Sequence, residues 1–269
     1  MSVFIEFSDA IFLTLVDPAP QTTHYPSLVD FAHDFKVSER KEDFMEYIAR
    51  NITDEQLEYT QYLKQGTDEC KRARKGRITA SISSEILHLK EGNSCVEKIL
   101  GNVDHVTSVA IRHGLHYEAV ARAQYQSQTK HEHKDQKIEE YGLFIDKEFP
   151  CLAASPDGVV TCNCHSKKLI EIKCSYKHRD LLPNEIPTVD SSYHVKHCNG
   201  KLALKKTSPW FFQVQFQMGV IKVDRCDFVL HTLHDIAIMT INFDESVWEA
   251  LKKKSLAVFM ARVFPRLTE

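Results

Sequence analysis

The sequence predicts an α/β (α+β) fold, a central mixed β-sheet flanked by helices. Three observations carry that expectation. Leu169 to Lys173 alternates at period 2; CDFVLHTL and IAIMTINF read as two further strands joined by a short turn near His234 and Asp235; and segments with helical spacing lie before and between them. At 269 residues, 43% hydrophobic and 26% charged, the chain can bury one large core, and its composition names no function.

The net charge of −3 is unevenly spread. Residues 1–63 hold 4 Lys/Arg against 12 Asp/Glu, whereas the remainder holds 30 against 25. Two parts with different jobs are expected: an acidic extension over 1–52 with no role assigned, and a domain over 53–269. Phe4 to Val16 is interrupted by Glu6 and Asp9 and no basic segment precedes it, so a signal peptide is not expected. No stretch approaches the ~20 apolar residues of a membrane span. With eight scattered Cys, an intracellular, reducing location is expected, nucleus or cytoplasm if the protein is eukaryotic or viral.

In chain order, VFIEFSDAIFLTLVD reads as one or two strands and PAPQTTHYP as a linker. ERKEDFMEYIARNI is helical, with Phe44 and Ile48 on one face. The next helix starts at Thr53, with Gln56 completing a capping box and Tyr59, Tyr62 and Leu63 on the buried side. Lys64 to Arg77 carries six basic residues against Asp68 and Glu69, a patch suited to phosphates. Ile78 and Thr79 are extended, and Ser81 caps a helix carrying Ile82, Ile86 and Leu87. A phosphate would sit well at that helix N-terminus with Arg74 closing over it, although, taken alone, an ordinary capped surface helix behind a solvated charge run is the better reading of the pattern.

Residues 109–127 form a helix with Leu115, Ala119 and Ala123 along its apolar stripe and Glu118 beside it, where it could point into a cleft, although a lone Glu on a helix is usually solvated. Tyr141 to Phe149 reads as a strand. After Lys173 an irregular, polar loop runs to the helix WFFQVQFQMGVI, which is capped by Ser208, has Pro209 at its first position and is buried nearly all round. Gln213 and Gln217 in that helix need partners. The last helix begins near Asp244 and buries Trp248, Leu251, Leu256 and Phe259.

The chemistry centres on AASPDGVVTCNCHSKKLIEIK, residues 153–173. The Pro-Asp-Gly reverses the chain and makes Asp157 and Glu171 two arms of a hairpin; Glu171 and Lys173 leave the strand on one face, Ile170 and Ile172 on the other. Two adjacent carboxylates raise each other's pKa, a penalty that a hard divalent cation removes. A neighbouring Lys can orient or deprotonate a water, or meet the charge on a phosphorane. Metal-assisted phosphodiester hydrolysis suits this set; a plain turn and a solvated strand are the bland alternative. Cys162, Cys164 and His165, with Cys174 and His178 near by, are ligands of the kind zinc takes, but the spacing matches no common finger and free thiols are preferred.

Taken in order, Arg74 with GRITAS, Tyr117-Glu118, SPDG, EIKC, WFFQVQFQM, the CDFVLHT strand and NFDESVW resemble the YqaJ viral recombinase family, which belongs with lambda exonuclease in the PD-(D/E)xK nuclease superfamily. The resemblance spans roughly 53–265. It implies a restriction-endonuclease-like core with Asp157, Glu171, Glu118 and the carbonyl of Ile172 as ligands of Mg²⁺ or Mn²⁺, two ions in all. Lys173 would activate or orient the attacking water and Gln213 help to fix it. Arg74 and Ser81, with Arg77 beside them, would take the terminal 5′-phosphate. The implied activity is 5′ to 3′ exonuclease action on double-stranded DNA ends in recombination or repair, with a ring-shaped homo-oligomer and a recombination protein as partners. An inactive DNA-end-binding scaffold and a structure-specific endonuclease with the same site are the alternatives.

Overall fold

The structure, a computed structural model, describes residues 27–37, 43–89, 94–102 and 108–269. The strands expected in VFIEFSDAIFLTLVD and the PAPQTTHYP linker lie outside these residues. Helices α1 (Leu28–Val37), α2 (Phe44–Asn51), α3 (Asp54–Gln61) and α4 (Asp68–Arg74) come first, then strand β1 (Ile78–Thr79), α5 (Ser83–Leu87), α6 (Ser94–Ile99) and the long α7 (Val109–Thr129). Strands β2 (Lys137–Glu139), β3 (Phe144–Ile145), β4 (Leu152–Ala154), β5 (Gly158–Thr161) and β6 (Lys168–Cys174) follow. A short α8 (Ile186–Val189), a hairpin of β7 (Val195–Cys198) and β8 (Lys201–Leu204), α9 (Pro209–Ile221), β9 (Arg225–His231), β10 (Ile236–Asn242), α10 (Glu245–Val258) and α11 (Phe264–Leu267) complete the chain.

The main sheet has the order β10-β9-β6-β5-β2. It is mixed, because β6 and β9 are parallel while the other neighbours are antiparallel. A smaller sheet, β1-β4-β3, carries the segment that leads into Asp157. Both faces of the main sheet are covered. Ile170, Ile172, Val160 and Val229 pack against Ala121 and Tyr125 of α7. Leu169, Val159 and Phe228 belong to the larger core with Val214, Phe216 and Met218 of α9. Glu171 therefore leaves β6 toward α9, under a helix and away from open solvent.

Several local expectations hold for identifiable reasons. Thr53 and Gln56 form the capping box of α3, and Ser208 accepts from Trp210 N at the start of α9, with Pro209 where its missing N–H costs nothing. Gly219 lets α10 close on α9, since a Cβ there would lie 2.2 Å from Trp248. Others are corrected. On α7, Leu115 is 68% exposed and Ala119 and Ala123 are exposed as well; the buried positions are Ala121, Tyr125 and Thr129. Small alanines give a weak stripe, and the helix is anchored instead by Tyr125, whose hydroxyl donates to Asp227 Oδ2 at 2.6 Å. Because α3 stops at Gln61, its buried side is Leu57 and Thr60 with Leu63 beyond, and Tyr62 is exposed. The polar loop after Lys173 contains α8 and the β7–β8 hairpin. The described part of the N-terminal extension is not separate in space: Phe44 of α2 stacks on Phe264 at 4.4 Å between ring centroids.

Candidate active site

In the β5–β6 hairpin Gly158 stands opposite Ile170 and Val159 opposite Leu169. Continuing that register by one pair puts Asp157 opposite Glu171. Gly158 is required there, because a Cβ would meet Ile170 Cγ2 at 2.8 Å. Asp157 Oδ2 accepts the backbone N–H of Ile172 at 2.6 Å, which fixes the carboxylate against β6. Its Oδ1 has no hydrogen-bond partner among the described residues.

Glu171 is 1% exposed, and three side chains bond its carboxylate. Oε1 accepts from Lys173 Nζ at 2.5 Å and from Gln213 Nε2 at 2.6 Å, and Oε2 accepts from Gln217 Nε2 at 2.8 Å. A carboxylate offers about four lone-pair positions, so one remains, on Oε2. Gln213 and Gln217 are i, i+4 on α9 and share one face, whereas Gln215 points away and bonds Asn242 O and Asp244 N. The Gln217 amide also reaches Ser155 O at 3.4 Å, and its buried Oε1 has no partner among the described residues.

The electrostatics follow from this crowding. Burial first, and then the Glu171 carboxylate, lift Asp157 well above the usual carboxylate range, with Lys173 and the Ile172 N–H acting the other way. Burial would pull the Lys173 ammonium down, but Glu171 and Asp157 outweigh it and hold the pKa above its ordinary value. The pair thus has a deficit of positive charge that a single Lys only partly meets. Oxygen donors, a free Asp157 oxygen and an unpartnered Gln217 carbonyl fit a hard divalent cation.

Glu118 sits at the rim. Burial raises its pKa and Arg122 opposes the rise, with Glu171 and Glu140 adding to it, so it feels the site. Its carboxylate is paired with Arg122 Nη2 at 2.7 Å, and Arg122 also bonds Glu140. Glu118 does not join Asp157 and Glu171 in one close ligand cluster among the described residues.

Arg74 is linked to the same centre, since its Nη1 donates to Ser155 Oγ at 2.8 Å, two residues before Asp157. β1 and β4 run parallel with Thr79 opposite Ala153, so Ser81 and Ser155 leave the sheet at the same end. Ser81 itself is exposed and lies inside a 3₁₀ turn, Ala80–Ile82; its hydroxyl meets Thr79 Oγ1 at 3.2 Å and caps no helix. The helix-end anion site expected there is absent, because α5 starts only at Ser83 and has five residues. Arg77 is also corrected. It is 1% exposed, donates to Pro150 O at 2.9 Å and to Ala73 O, and braces the core where no phosphate can reach. In the sequence Gln217 has no assigned task, Ser155 enters only within SPDG, and Arg122 has no local signal; the i, i+4 spacing of Gln213 and Gln217 is the signal that pairs them.

The YqaJ-like viral recombinase domain matches residues 69–224, more than half of the chain and the whole of the hairpin site. The chain belongs to the YqaJ-like viral recombinase domain family. Among solved structures this YqaJ-like chain is similar to LHK-Exo, an alkaline exonuclease from Laribacter hongkongensis, in complex with dAMP: 23% identity over 75% of this chain and 94% of that one, with a TM-score of 0.56. It is also similar to SOX in a DNA complex, at 11% identity over 89% and 80% of the two chains and a TM-score of 0.54. SOX of the herpesvirus KSHV in an RNA complex gives 10% identity, 89% and 83%, and 0.53. A search of curated proteins finds no match. The likeness to LHK-Exo and to the SOX structures is one of fold, a mixed sheet with helices on both faces.

Proposed function

We propose that this YqaJ-like protein is a metal-dependent deoxyribonuclease, acting 5′ to 3′ on double-stranded DNA ends. The observation that carries this reading is the juxtaposition of Asp157 and Glu171 across the hairpin, with Lys173 on Glu171. Asp157 and Glu171, with the Ile172 carbonyl, would hold Mg²⁺ or Mn²⁺, and Glu118 would join them by leaving Arg122. Bound there, the cation supplies Lewis-acid polarisation of the scissile phosphate.

The chain's own residues do the rest. Gln213 and Gln217 hold the Glu171 carboxylate aimed, so no reorganisation is needed as charge develops. Lys173, held protonated by two carboxylates, orients the attacking water by donating to it and offsets charge on the phosphoryl oxygens. That makes orientation, and not deprotonation, its role at neutral pH. Arg74, anchored on Ser155, places a terminal phosphate beside the cleavage centre, in keeping with a preference for phosphorylated ends. The fold's likeness to an alkaline exonuclease and to SOX bound to DNA supports the substrate class. Recombination or repair, a ring-shaped oligomer, a recombination partner and an intracellular site of action complete the proposal.

The test is digestion of a linear duplex, labelled at either the 5′ or the 3′ end of one strand, beside a closed circle, with Mg²⁺ or EDTA. Metal-dependent loss of the 5′ label first, with the circle intact, is expected. Nicking of the circle would replace the exonuclease by a structure-specific endonuclease. Salt-sensitive end binding with no product would make the protein an end-binding scaffold.

A further inference from the structure

The loop between β5 and β6 carries Cys162, Cys164 and His165, and strand pairing brings a fourth group to it. β2 pairs with β5, Lys137 opposite Thr161, so the turn before β2 lies against this loop. Asn163 N donates to Lys134 O at 2.9 Å and Asn163 Nδ2 to Asp135 Oδ2 at 2.7 Å, which pins the two segments together. His133 is thereby delivered to the Cys-x-Cys-His turn. One ligand atom from each of His133, Cys162, Cys164 and His165 lies within 4.8 Å of all the others.

Cys164 Sγ is 3.1 Å from His165 Nδ1 and 3.5 Å from Cys162 Sγ, and Cys162 Sγ is 3.7 Å from His165 Nδ1. A tetrahedral ion with bonds of about 2.3 Å to sulfur and about 2.0 Å to nitrogen has edges of about 3.3–3.8 Å, close to these separations. The thiols are free, at a distance no disulfide has. An independent sign comes from His133, whose Nδ1 is buried and has no hydrogen-bond partner among the described residues. The backbone N–H of Lys134 points at Cys164 Sγ, 3.2 Å away, as it would toward a thiolate.

We propose that His133, Cys162, Cys164 and His165 form a structural Zn²⁺ site. This departs from the free thiols preferred from sequence, and of the further candidates there, Cys174 stands opposite His231 in the sheet and His178 bonds Asp190 Oδ2 at 3.0 Å, so neither takes part. Two thiolates balance the charge of one Zn²⁺, and the soft donors separate this ion from the all-oxygen pair at Asp157 and Glu171. Asp157 enters β5 about 13 Å before the loop, at four residues of roughly 3.3 Å each. The site clamps the far end of the hairpin that holds both carboxylates, and it ties in the edge strand β2.

The test is metal analysis of the full-length protein after dialysis against metal-free buffer, with Co²⁺ substitution as a second readout. The parent and Asp157→Ala are expected to retain about one Zn²⁺ per chain and to give the intense visible bands of tetrahedral Co²⁺ bound to thiolate. Cys162→Ser/Cys164→Ser is expected to lose at least tenfold of the zinc, and His133→Ala to lose the cobalt spectrum. A parent without retained zinc and without that spectrum overturns the proposal, as does a folded double variant that keeps its zinc. Should the double variant fail to fold, the cobalt spectra of the parent and Asp157→Ala decide alone. The outcome is independent of whether the protein cuts DNA.

Discussion

Gln217 donates to Glu171 Oε2 at 2.8 Å from a side chain with no exposed surface. A buried carboxylate oxygen without a donor destabilises the fold, and among the described residues this amide is the donor to Oε2, while Lys173 and Gln213 serve Oε1. Replacing Gln217 by Leu removes the donor and leaves Oε2 of Glu171 facing a methyl group. The expected cost is roughly 1.5–3 kcal/mol of stability, as for a hydrogen bond to a charged group, and a loss of nuclease activity. Urea unfolding checks the first and DNA digestion the second. Unchanged stability would mean that Gln217 is not the anchor of Glu171.

Arg74 and Arg77, three residues apart, are expected to separate by phenotype. Arg77→Ala orphans the carbonyls of Pro150 and Ala73 and should destabilise by roughly 2–3 kcal/mol. Arg74→Ala should spare the fold and weaken use of 5′-phosphorylated ends relative to 5′-hydroxyl ends by about tenfold, one charge-assisted contact. Thermal melts and paired end-group assays measure the two. Equal loss on both kinds of end would remove Arg74 from phosphate recognition.

A second buried acid gives a pH prediction away from the site. Burial lifts the Asp227 pKa, but hydrogen bonds from Lys168, Tyr125 and Thr240 outweigh it and hold the carboxyl below its ordinary value. A folded pKa below the unfolded one, about 3.9, gives stability that is complete above that pH and is lost as pH falls through the folded value. Asp227→Asn breaks the buried ion pair with Lys168, whose Nζ lies 2.6 Å from Asp227 Oδ2, and should cost roughly 3 kcal/mol at pH 7, with the gap to the parent narrowing below about pH 4. Denaturant unfolding across pH reads it. A gap that stays constant to low pH would contradict the ion pair.

The site was legible wherever local spacing decides geometry. Pro-Asp-Gly before an alternating strand is enough to set Asp157 against Glu171, and Ser208-Pro209 is enough to start α9. What the sequence hid depends on packing between distant segments. Glu118 needs Arg122, Glu140 and the tilt of α7 to be placed, and no local pattern contains them. Arg77 looks like part of a basic run, yet chain reversal at Gly76, φ +82°, turns it inward. His133 lies 29 residues before Cys162, and only the β2–β5 pairing brings it to the Cys-x-Cys turn.

The central claim is that Asp157, Glu171 and Lys173 are one hydrolytic centre that uses a divalent cation. The most direct measurement is the initial rate on a 5′-phosphorylated linear duplex across a Mg²⁺ titration, for the parent, Asp157→Ala and Lys173→Ala. The parent should show saturable dependence on the cation. Lys173→Ala should bind the duplex normally and lose about 10²–10⁴-fold in rate, and Asp157→Ala should lose its response to Mg²⁺. Cleavage at the parent rate by either folded variant, or by the parent in EDTA, would contradict it.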